Sequence, residues 1–160
     1  MINKEEILSR MSDFERVCRE FSVKLTHQRR EIFREIAATE KHPDVEFIYG
    51  RVKKRIPEIS LDTVYRTMWM LRDMGLLGTL GSAGEKVRFD ANMRKHHHFR
   101  CSRCGSTRDF YSEELDSLKL PDEIKNFGRI DATQVEVRGL CEKCMQQQPP
   151  TRASRKKEKV

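Results

Sequence analysis

The sequence from Arg88 to Asp109 reads RFDANMRKHHHFRCSRCGSTRD. This stretch contains three adjacent histidines, two cysteines separated by two residues, and two aspartates. Imidazole, thiolate and carboxylate groups are the side chains that bind transition metals in proteins, and chance composition does not readily bring so many together. The stretch therefore predicts metal binding, and its position in the middle of the chain suggests that it joins two domains.

The length of the chain leaves room for one ordinary domain or two small ones. Two domains within 160 residues would each be close to the ~80 residues below which a fold usually needs a metal, a disulfide or a partner subunit. The N-terminal sequence MINKEEILSR is charged and contains no long apolar run. It predicts neither a signal peptide nor a membrane span, and we expect a cytoplasmic protein with reduced cysteines.

The positive charge of the chain is unevenly distributed. The formal net charge is +7; residues 1–95 hold 19 Lys and Arg against 15 Asp and Glu, and the last ten residues hold five against one. The basic N-terminal part is compatible with nucleic-acid binding, although charge alone does not decide this. The tail, residues 147–160, is typical of a disordered solubilising end, with a specific DNA-binding arm as the alternative.

Apolar residues at three- and four-residue intervals predict four helices in the first half of the chain. They are expected at about residues 4–21, 26–39, 43–57 and 60–75. Thr26 and Ser60 are suited to N-cap two of them, and Pro43 suits the first turn of the third. The segments LLGTL, GSAGEK and VRFD then predict a strand, a turn and a strand. Helices followed by a small hairpin are the element order of a winged helix.

The fourth predicted helix has an exposed face of polar, aromatic and basic residues. It holds Asp62, Thr63, Tyr65, Arg66, Trp69 and Arg72. A recognition helix presents such side chains to the major groove of DNA, whereas the simpler interpretation is a solvated surface. In the hairpin, Lys86 and Arg88 could contact DNA phosphates, which position a protein without reading sequence. The order of the elements favours a DNA-binding winged helix over a protein-binding one.

A short polar link precedes a small α+β unit. Strands are predicted at residues 96–101, 107–111 and 133–140, and a helix at 113–127 with an interruption near Pro121. Alternation places His96 and His98 on one face of the first strand and His97 and Cys101 on the other. The modest apolar content predicts that the unit completes its core by dimerising. The predicted organisation is a winged-helix domain at 1–90, a linker at 91–95, a dimerisation and metal-binding domain at 96–146, and the tail.

Four cysteines form two C-x-x-C pairs that fit a zinc site. They are Cys101, Cys104, Cys141 and Cys144. Four thiolates in such pairs match tetrahedral zinc, and closed coordination by thiolates indicates a structural ion. Two disulfides are the competing interpretation, which a reducing cytoplasm disfavours. The fifth cysteine, Cys18, falls on the apolar face of the first helix and is expected to be buried there.

A second metal site can be assembled from the remaining histidines and aspartates. The candidates are His42, Asp90, His96, His98 and Asp109. Imidazole and carboxylate ligands without thiolate suit Fe(II) or Mn(II), although zinc could displace these ions through its higher intrinsic affinity. Taken singly, each residue could equally be a capping or surface residue. Two of the five belong to the first predicted domain and three to the second, so an ion bound by all of them would fix the angle between the domains.

Several motifs in this order resemble the ferric uptake regulator family. They are L-T-x-Q-R at residues 25–29, D-T-V-Y-R at 62–66, R-F-D at 88–90 and H-H-H-F-R-C-x-x-C-G at 96–105. The resemblance extends over about residues 4–145. It implies a homodimeric transcriptional repressor with an N-terminal winged helix, a C-terminal dimerisation domain, a structural zinc held by the four cysteines, and a regulatory metal that permits operator recognition.

Single residues favour one branch of that family. The peroxide-sensing branch uses three histidines and two aspartates at its regulatory site, and this chain matches that set. Iron-responsive members usually have glutamate where this chain has Asp90 and Asp109. They also place ligands of a further site where this chain has His97 and Thr133. The resemblance therefore favours peroxide sensing, with an iron-responsive regulator that acts by reversible Fe(II) binding as the alternative.

The resemblance implies a chemical step and a set of DNA contacts. In the peroxide-sensing branch Fe(II) promotes oxidation of a ligand histidine, here His42 or His96, whereas Mn(II) would support repression without sensing. Tyr65 is expected to reach a base edge, with Thr63, Arg66 and Arg29 also at the DNA. A dimer predicts a palindromic operator, expected to be A/T-rich.

Two other classes of function are compatible with parts of the sequence. A metal held by histidines and carboxylates could serve an oxygen-using or hydrolytic enzyme. The chain shows no nucleophile motif and no substrate-binding glycine loop, which counts against an enzyme. A purely structural zinc module would leave the five histidine and aspartate candidates without a shared role.

Overall fold

The computed structural model describes residues 2–81, 86–130 and 132–147. The chain divides into two compact units between Arg94 and Lys95, inside the predicted linker. The centre of the predicted hairpin turn and residues 148–160 of the predicted tail lie outside the described residues. Among the residues that the structure does describe, no helix is both long enough and apolar enough to cross a membrane.

Four helices lie among the described residues of the first unit. They are α1 (Lys4–Glu20), α2 (His27–Ala37), α3 (Val45–Val52) and α4 (Leu61–Asp73). Each begins at a side chain that accepts a backbone N–H from three residues further along, which satisfies a donor that the helix itself leaves unpaired. The capping residues are Asn3, Thr26, Asp44 and Ser60. The predicted caps Thr26 and Ser60 are therefore confirmed.

The start and end of α3 differ from the prediction. Asp44 is the N-cap of the helix, because its Oδ1 accepts the N–H of Phe47 at 2.8 Å. Pro43 lies just before this cap. The helix ends at Val52, several residues before Pro57, so the proline is not what stops it.

The core of the first unit lies between these four helices. Phe14 stacks on Phe33 with ring centroids 4.6 Å apart, and Cys18 is fully buried beside them as expected. The buried face of α1 is narrower than its apolar pattern predicts. Leu8 in this helix and Phe21 just after it fit the pattern but are more than half exposed. The other fully buried side chains come from the remaining helices and the hairpin, and include Ile32, Ile36, Ile48, Val52, Val64, Met68, Leu71 and Phe89.

A two-stranded hairpin completes the first unit as a winged helix. Strands β1 (Gly78–Leu80) and β2 (Arg88–Asp90) pair antiparallel, with Gly78 opposite Asp90. Gly75 takes a positive φ of 72° just after α4 and turns the chain towards β1. Phe89, in the centre of β2, is fully buried in the helical core, so the hairpin is fixed to the helices by its middle residue.

The second unit is a three-stranded sheet with short helical segments. The strands are β3 (His97–Cys101), β4 (Thr107–Phe110) and β5 (Glu136–Gly139). The central strand β3 is antiparallel to β4 and parallel to β5. The helical segments are α5 (Glu113–Asp116), a 3₁₀ helix (Asp122–Phe127) and α6 (Glu142–Gln146). The combination of helices and small sheets is the α+β class that the sequence predicted.

The predicted helix at residues 113–127 is present only as separate helical segments at its two ends, and the predicted interruption near Pro121 is confirmed. One α-helical turn ends at Asp116, and a separate 3₁₀ helix begins after Pro121. Proline lacks a backbone N–H and disfavours helical geometry in the residue before it, so the two turns cannot join. Helix α6, which begins directly after Cys141, was not predicted from the sequence.

Candidate metal centres and DNA-binding surface

The four predicted zinc ligands lie together in the second unit. The Sγ atoms of Cys101, Cys104, Cys141 and Cys144 all lie within 4.8 Å of one another. The Sγ atoms of Cys104 and Cys141 are 3.8 Å apart, the separation that Zn–S bonds of ~2.3 Å produce in a tetrahedron. Cys101 ends β3 and Cys141 precedes α6, so the cluster joins the sheet to the last helix. Its donor set and spacing fit one tetrahedral zinc ion.

Backbone groups make the four thiols unequal. The N–H groups of Cys104 and Cys141 point at Cys101 Sγ, and they lower the pKa of the Cys101 thiol to about 5. The N–H of Cys141 is 3.3 Å from this sulfur. Burial raises the pKa of the Cys144 thiol to about 12. Cys101 is thus the thiol of this pair that loses its proton more readily, whereas metal binding must remove the proton of Cys144 against a raised pKa.

Two of the five candidate ligands of the second metal lie together in the first unit. Nε2 of His42 is 3.6 Å from Oδ2 of Asp90, and the two side chains are 1% and 10% exposed. The other carboxylate oxygen, Oδ1 of Asp90, accepts the N–H of Asn92 at 2.8 Å. Two ligands bound at ~2.1 Å from one ion stand about 3 to 4 Å apart, so this pair, here named the first half-site, has the spacing of metal ligands.

The backbone of His42 is in the left-handed region, with a φ of 46°. This conformation costs a non-glycine residue on the order of 1 kcal/mol and persists only where neighbours impose it. The guanidinium of Arg88 donates to the His42 carbonyl at 3.5 Å, and the N–H of Phe89 donates to the Pro43 carbonyl at 2.9 Å. Strand β2 thus carries Asp90 and also holds the loop that carries His42.

The remaining three candidate ligands lie together in the second unit. His98 on β3 is opposite Asp109 on β4, and His98 Nε2 is 3.5 Å from Asp109 Oδ1. His96 lies two residues earlier on the same face, with its Nε2 3.9 Å from Asp109 Oδ2 and 3.0 Å from Nε2 of His98. Both histidines are buried. Three ligand atoms at these separations, here named the second half-site, form one face of a coordination sphere.

His97 has a different position, on the opposite face of β3. Its Nδ1 accepts the N–H of Val135 at 3.3 Å, its Nε2 is 3.3 Å from Oδ1 of Asp116, and it is fully buried. Strand alternation predicted this face for His97 but indicated no role for its side chain. The structure shows that it links β3 to the segments on either side, which holds the strand that carries the second half-site.

Three of the predicted DNA-contacting residues, Thr63, Tyr65 and Arg66, lie on α4. Tyr65 is half exposed and Arg66 is 79% exposed. Arg66 forms a 3.0 Å ion pair with Asp62, one turn earlier on the same helix. An exposed pair of this kind contributes only ~0–1 kcal/mol, so the guanidinium is readily available to a phosphate. Thr63 is already used in the helix cap, since its hydroxyl is 2.9 Å from that of Ser60.

The basic side chains predicted to contact phosphates have partners within the protein. Arg29 donates to the carbonyl of Lys24 at 2.6 Å, and Lys86 pairs with Glu46 of α3 at 2.9 Å. Arg88 donates to the loop of His42, as described above. These three residues therefore position local structure, and each would have to exchange or share a partner to contact DNA.

The sequence predicted that Trp69 lies on the exposed face of α4, and this prediction is wrong. Trp69 is half-buried, and its ring meets the edge of the Phe89 ring, with centroids 5.7 Å apart and an interplanar angle of 85°. The error arises because the hairpin covers this part of α4. Helical periodicity alone cannot show what a later segment covers.

Comparison with known proteins identifies relatives over most of the chain. A model of the ferric uptake regulator family matches residues 20–137. The peroxide-responsive repressor PerR of Staphylococcus epidermidis is 29% identical over 130 residues, which cover 81% of this chain and 86% of that protein. A solved structure of a zinc-bound manganese uptake regulator is 30% identical, covers 79% of this chain and 97% of its own, and superimposes with a TM-score of 0.61.

The fold extends to a more distant relative. The ferric uptake regulator Fur of Helicobacter pylori superimposes with a TM-score of 0.72 at 18% identity, over 93% of this chain and all of the other. At that identity the likeness shows a shared fold and no more.

Proposed function

This chain belongs to the ferric uptake regulator family, and from that premise we propose that it is a dimeric, metal-dependent repressor that senses hydrogen peroxide. Members of the family are metal-responsive transcription regulators that bind DNA, and they are not enzymes. The finer assignment, to peroxide as the signal, is our proposal. The similarity to peroxide-responsive repressors at 29% identity supports it.

The composition of the two half-sites carries the proposal. Together they offer three imidazoles and two aspartate carboxylates, without a thiolate. Nitrogen and oxygen donors of this kind suit Fe(II) and Mn(II), whereas soft thiolates would select zinc or copper. Each half-site alone supplies two or three ligands, whereas the two together supply five of the ~6 positions of octahedral coordination. We therefore assign both half-sites to one regulatory ion, Fe(II) or Mn(II).

The four-cysteine cluster is assigned to a structural zinc. Its ligands come from the end of β3 and from the start of α6, so a bound ion would fasten these segments of a unit with a small core. Because the four thiolates would complete the tetrahedral coordination of zinc, no coordination position would remain for a substrate. The cluster therefore supports the fold and takes no part in sensing.

The chemistry of sensing falls on the ligand histidines. Bound Fe(II) would catalyse the cleavage of hydrogen peroxide and would not be consumed, because the two electrons that reduce the peroxide come from the imidazole. The imidazole of His42 or His96 takes up one oxygen atom of the peroxide at the ring carbon between its two nitrogens, and the other oxygen leaves as water. The product, 2-oxo-histidine, has lost the ring lone pair that binds a metal. A half-site that loses a ligand in this way no longer holds the ion.

The consequence for DNA binding follows from where the ligands lie. His42 and Asp90 belong to the DNA-binding unit, and the second half-site belongs to the other unit. An ion bound by both fixes one arrangement of the DNA-binding units in the dimer. Oxidation of a ligand releases that constraint, and the dimer leaves its palindromic operator.

The test compares DNA release by iron-loaded and manganese-loaded protein. The probe is a duplex selected from random sequence by the manganese-loaded dimer, and binding is followed by fluorescence anisotropy under anaerobic conditions. One equivalent of hydrogen peroxide should release DNA from the iron-loaded protein and leave the manganese-loaded protein bound. Release from both would contradict the proposal. Release from neither, with DNA binding that follows free Fe(II) reversibly, would identify an iron-responsive regulator instead.

A control variant tests whether the peroxide response depends on the ligand histidines and not on the adjacent His97. His97→Gln changes a histidine of the same strand that faces away from the second half-site. If this variant folds, it should still respond to peroxide, whereas His96→Gln should lose the response together with tight metal binding.

A further inference from the structure

We propose that Trp69 is a positioning residue that transmits occupancy of the first half-site to Tyr65 through Phe89. This inference rests on the proposed function, because it takes His42 and Asp90 to be ligands of the regulatory metal. It adds a physical link between that metal and the residue expected to read DNA bases. All the residues involved belong to the first unit.

The link begins at Phe89, which precedes Asp90 in the chain and is hydrogen-bonded to Pro43, the residue after His42. Phe89 and Asp90 share a peptide bond, and on the other side the N–H of Phe89 donates to the carbonyl of Pro43. Its ring is fully buried. A close-packed ring cannot accommodate a shift of its own backbone without moving its neighbours, so a change in the spacing of His42 and Asp90 is transmitted to the Phe89 side chain.

The next contact joins Phe89 to α4. The Phe89 ring meets Trp69 edge to face at 5.7 Å, a favourable geometry for two aromatic rings. Trp69 in turn lies 5.9 Å from the ring of Tyr65, which is one helical turn earlier on the same face. Three rings thus run from the strand that carries Asp90 to the half-exposed Tyr65.

The space around Trp69 is incompletely filled. A cleft of 200 Å³ opens between Trp69 and the hairpin, bordered by Val87 and Phe89. A second cleft, of 460 Å³, opens on the side of Phe21. The indole Nε1 is buried but has no hydrogen-bond partner among the residues that the structure describes. No hydrogen bond from the described residues therefore fixes the indole, and its contacts with Phe89, Tyr65 and Arg72 decide where it lies.

Binding of the ion would hold His42 and Asp90 at the ligand spacing that the structure already shows and would restrain Phe89 in its present position. Trp69 then follows Phe89, and the Tyr65 side chain is oriented for contact with a base edge. Without the ion the same rings are less restrained, and Tyr65 spends less time in the productive orientation. By reciprocity, DNA that selects this orientation must also tighten metal binding.

Trp69 can report on this link directly, because it is the only tryptophan of the chain. The full-length dimer, with its zinc retained, is titrated with Mn(II) under two readouts. Electron paramagnetic resonance counts the free ion, and intrinsic fluorescence follows Trp69. We expect the tryptophan emission to change with the same midpoint as Mn(II) binding. An emission that stays constant while the site fills would overturn the proposal.

The variant Phe89→Leu breaks the link and leaves the metal ligands in place. It should bind Mn(II) within about three-fold of the wild-type affinity but lose most of the emission change. An unchanged emission response in this variant would mean that Trp69 senses the ion by proximity alone, which also overturns the proposal. Circular dichroism and thermal unfolding establish that the variant is folded.

A second pair of variants tests the link without altering the buried Phe89. The ratio of DNA affinities with and without Mn(II), expected to be about ten-fold or more in the wild type, should fall at least three-fold in Trp69→Leu and be largely restored in Trp69→Phe. The control is Arg72→Ala, which removes the guanidinium that lies 4.4 Å over the Trp69 ring but leaves the contact with Phe89. A ratio that is unchanged in Trp69→Leu, or that falls equally in the control, would contradict the link.

The two proposals fail in different ways. If Mn(II) does not bind, or if His42→Ala and Asp90→Ala leave its binding unchanged, the regulatory site itself is misassigned. If Mn(II) binds with the expected ligands and the Trp69 response is absent, the site stands and only the link is wrong.

Discussion

The backbone N–H of Phe89 donates a 2.9 Å hydrogen bond to the carbonyl oxygen of Pro43. This bond joins Phe89, the residue before Asp90, to Pro43, the residue after His42, and the two are 46 positions apart in the sequence. It keeps His42 in its left-handed conformation and brings both side chains to 3.6 Å from each other. A ligand pair for the regulatory metal is thus assembled by the packing of the DNA-binding unit.

The four-cysteine cluster should bind one zinc ion per chain and stabilise the second unit. Cys141→Ser should lose this zinc and unfold the unit at a lower temperature, because structural zinc supplies on the order of 10 kcal/mol in small modules. The control is Cys18→Ala, because Cys18 is buried in the core of the first unit and lies outside the four-cysteine cluster. This variant should keep its zinc. Elemental analysis and circular dichroism give the two readouts. A Cys141→Ser variant that retains stoichiometric zinc would refute the assignment.

Tyr65 should contribute to discrimination between DNA sequences. Tyr65→Ala is expected to reduce the preference for the selected duplex over a scrambled one by about 1–3 kcal/mol, as for the loss of one base contact. Tyr65→Phe keeps the ring and should retain most of the preference if the contact is apolar. Arg66→Ala should instead weaken binding to both duplexes and reduce the slope of log affinity against log salt by about 0.9. An equal loss on both duplexes for Tyr65→Ala would argue against base readout.

The ion pair between Lys86 and Glu46 should limit the contribution of Lys86 to DNA binding. The side chains are 69% and 56% exposed, so the pair adds little to stability. Glu46→Gln removes the competing carboxylate and should strengthen binding to any duplex at low salt, with little change in unfolding temperature. Lys86→Ala should weaken it. If Glu46→Gln left the affinity unchanged while Lys86→Ala reduced it, the pair would not compete with DNA.

One buried carboxylate of α2, that of Glu35, should make the first unit sensitive to acid. Burial raises the pKa of Glu35, but hydrogen bonds from Arg55 and Arg51 outweigh this effect, so its pKa lies below the ordinary value. A lowered pKa in the folded state means that the stabilisation is complete above the ordinary value of about 4.3 and is lost as the pH falls further.

Glu35→Gln should therefore destabilise the protein at pH 7, by about 1–3 kcal/mol, because it removes a buried carboxylate that accepts charged hydrogen bonds from Arg51 and Arg55. The difference from the wild type should shrink below about pH 4. The control is Glu15→Gln, which loses a more exposed pair with Arg30 and should cost under about 1 kcal/mol. Urea unfolding at several pH values measures both. A Glu35→Gln penalty that does not depend on pH would contradict the ionic account.

Much of the architecture could be predicted because local patterns determine it. The caps Thr26 and Ser60, the burial of Cys18 and the order of helices followed by a hairpin each follow from short-range chemistry, and the structure has all of them. The same holds for the alternation that puts His96 and His98 on one face and His97 on the other.

The features that escaped prediction depend on contacts between distant segments. Trp69 is half-buried because Phe89 packs on it from the hairpin. The left-handed backbone of His42 is held by β2, and no signal in the loop itself announces it. Pro121 was recognised as an interruption, but its full effect, two separate turns in place of one helix, depends on how little the segment packs against its surroundings. The role of His97 depends on Val135 and Asp116, which periodicity does not connect to it.

The central claim is that peroxide acts on a ligand histidine of the regulatory metal. The most direct measurement is mass spectrometry of tryptic peptides after anaerobic loading with Fe(II) and addition of one equivalent of hydrogen peroxide. The peptides 42–51 and 96–100 carry His42 and His96, and the second also contains His97 as an internal control. We predict a gain of one oxygen on His42 or His96, absent from His97 and from the manganese-loaded protein. No gain on either ligand, or an equal gain on His97, would contradict the account.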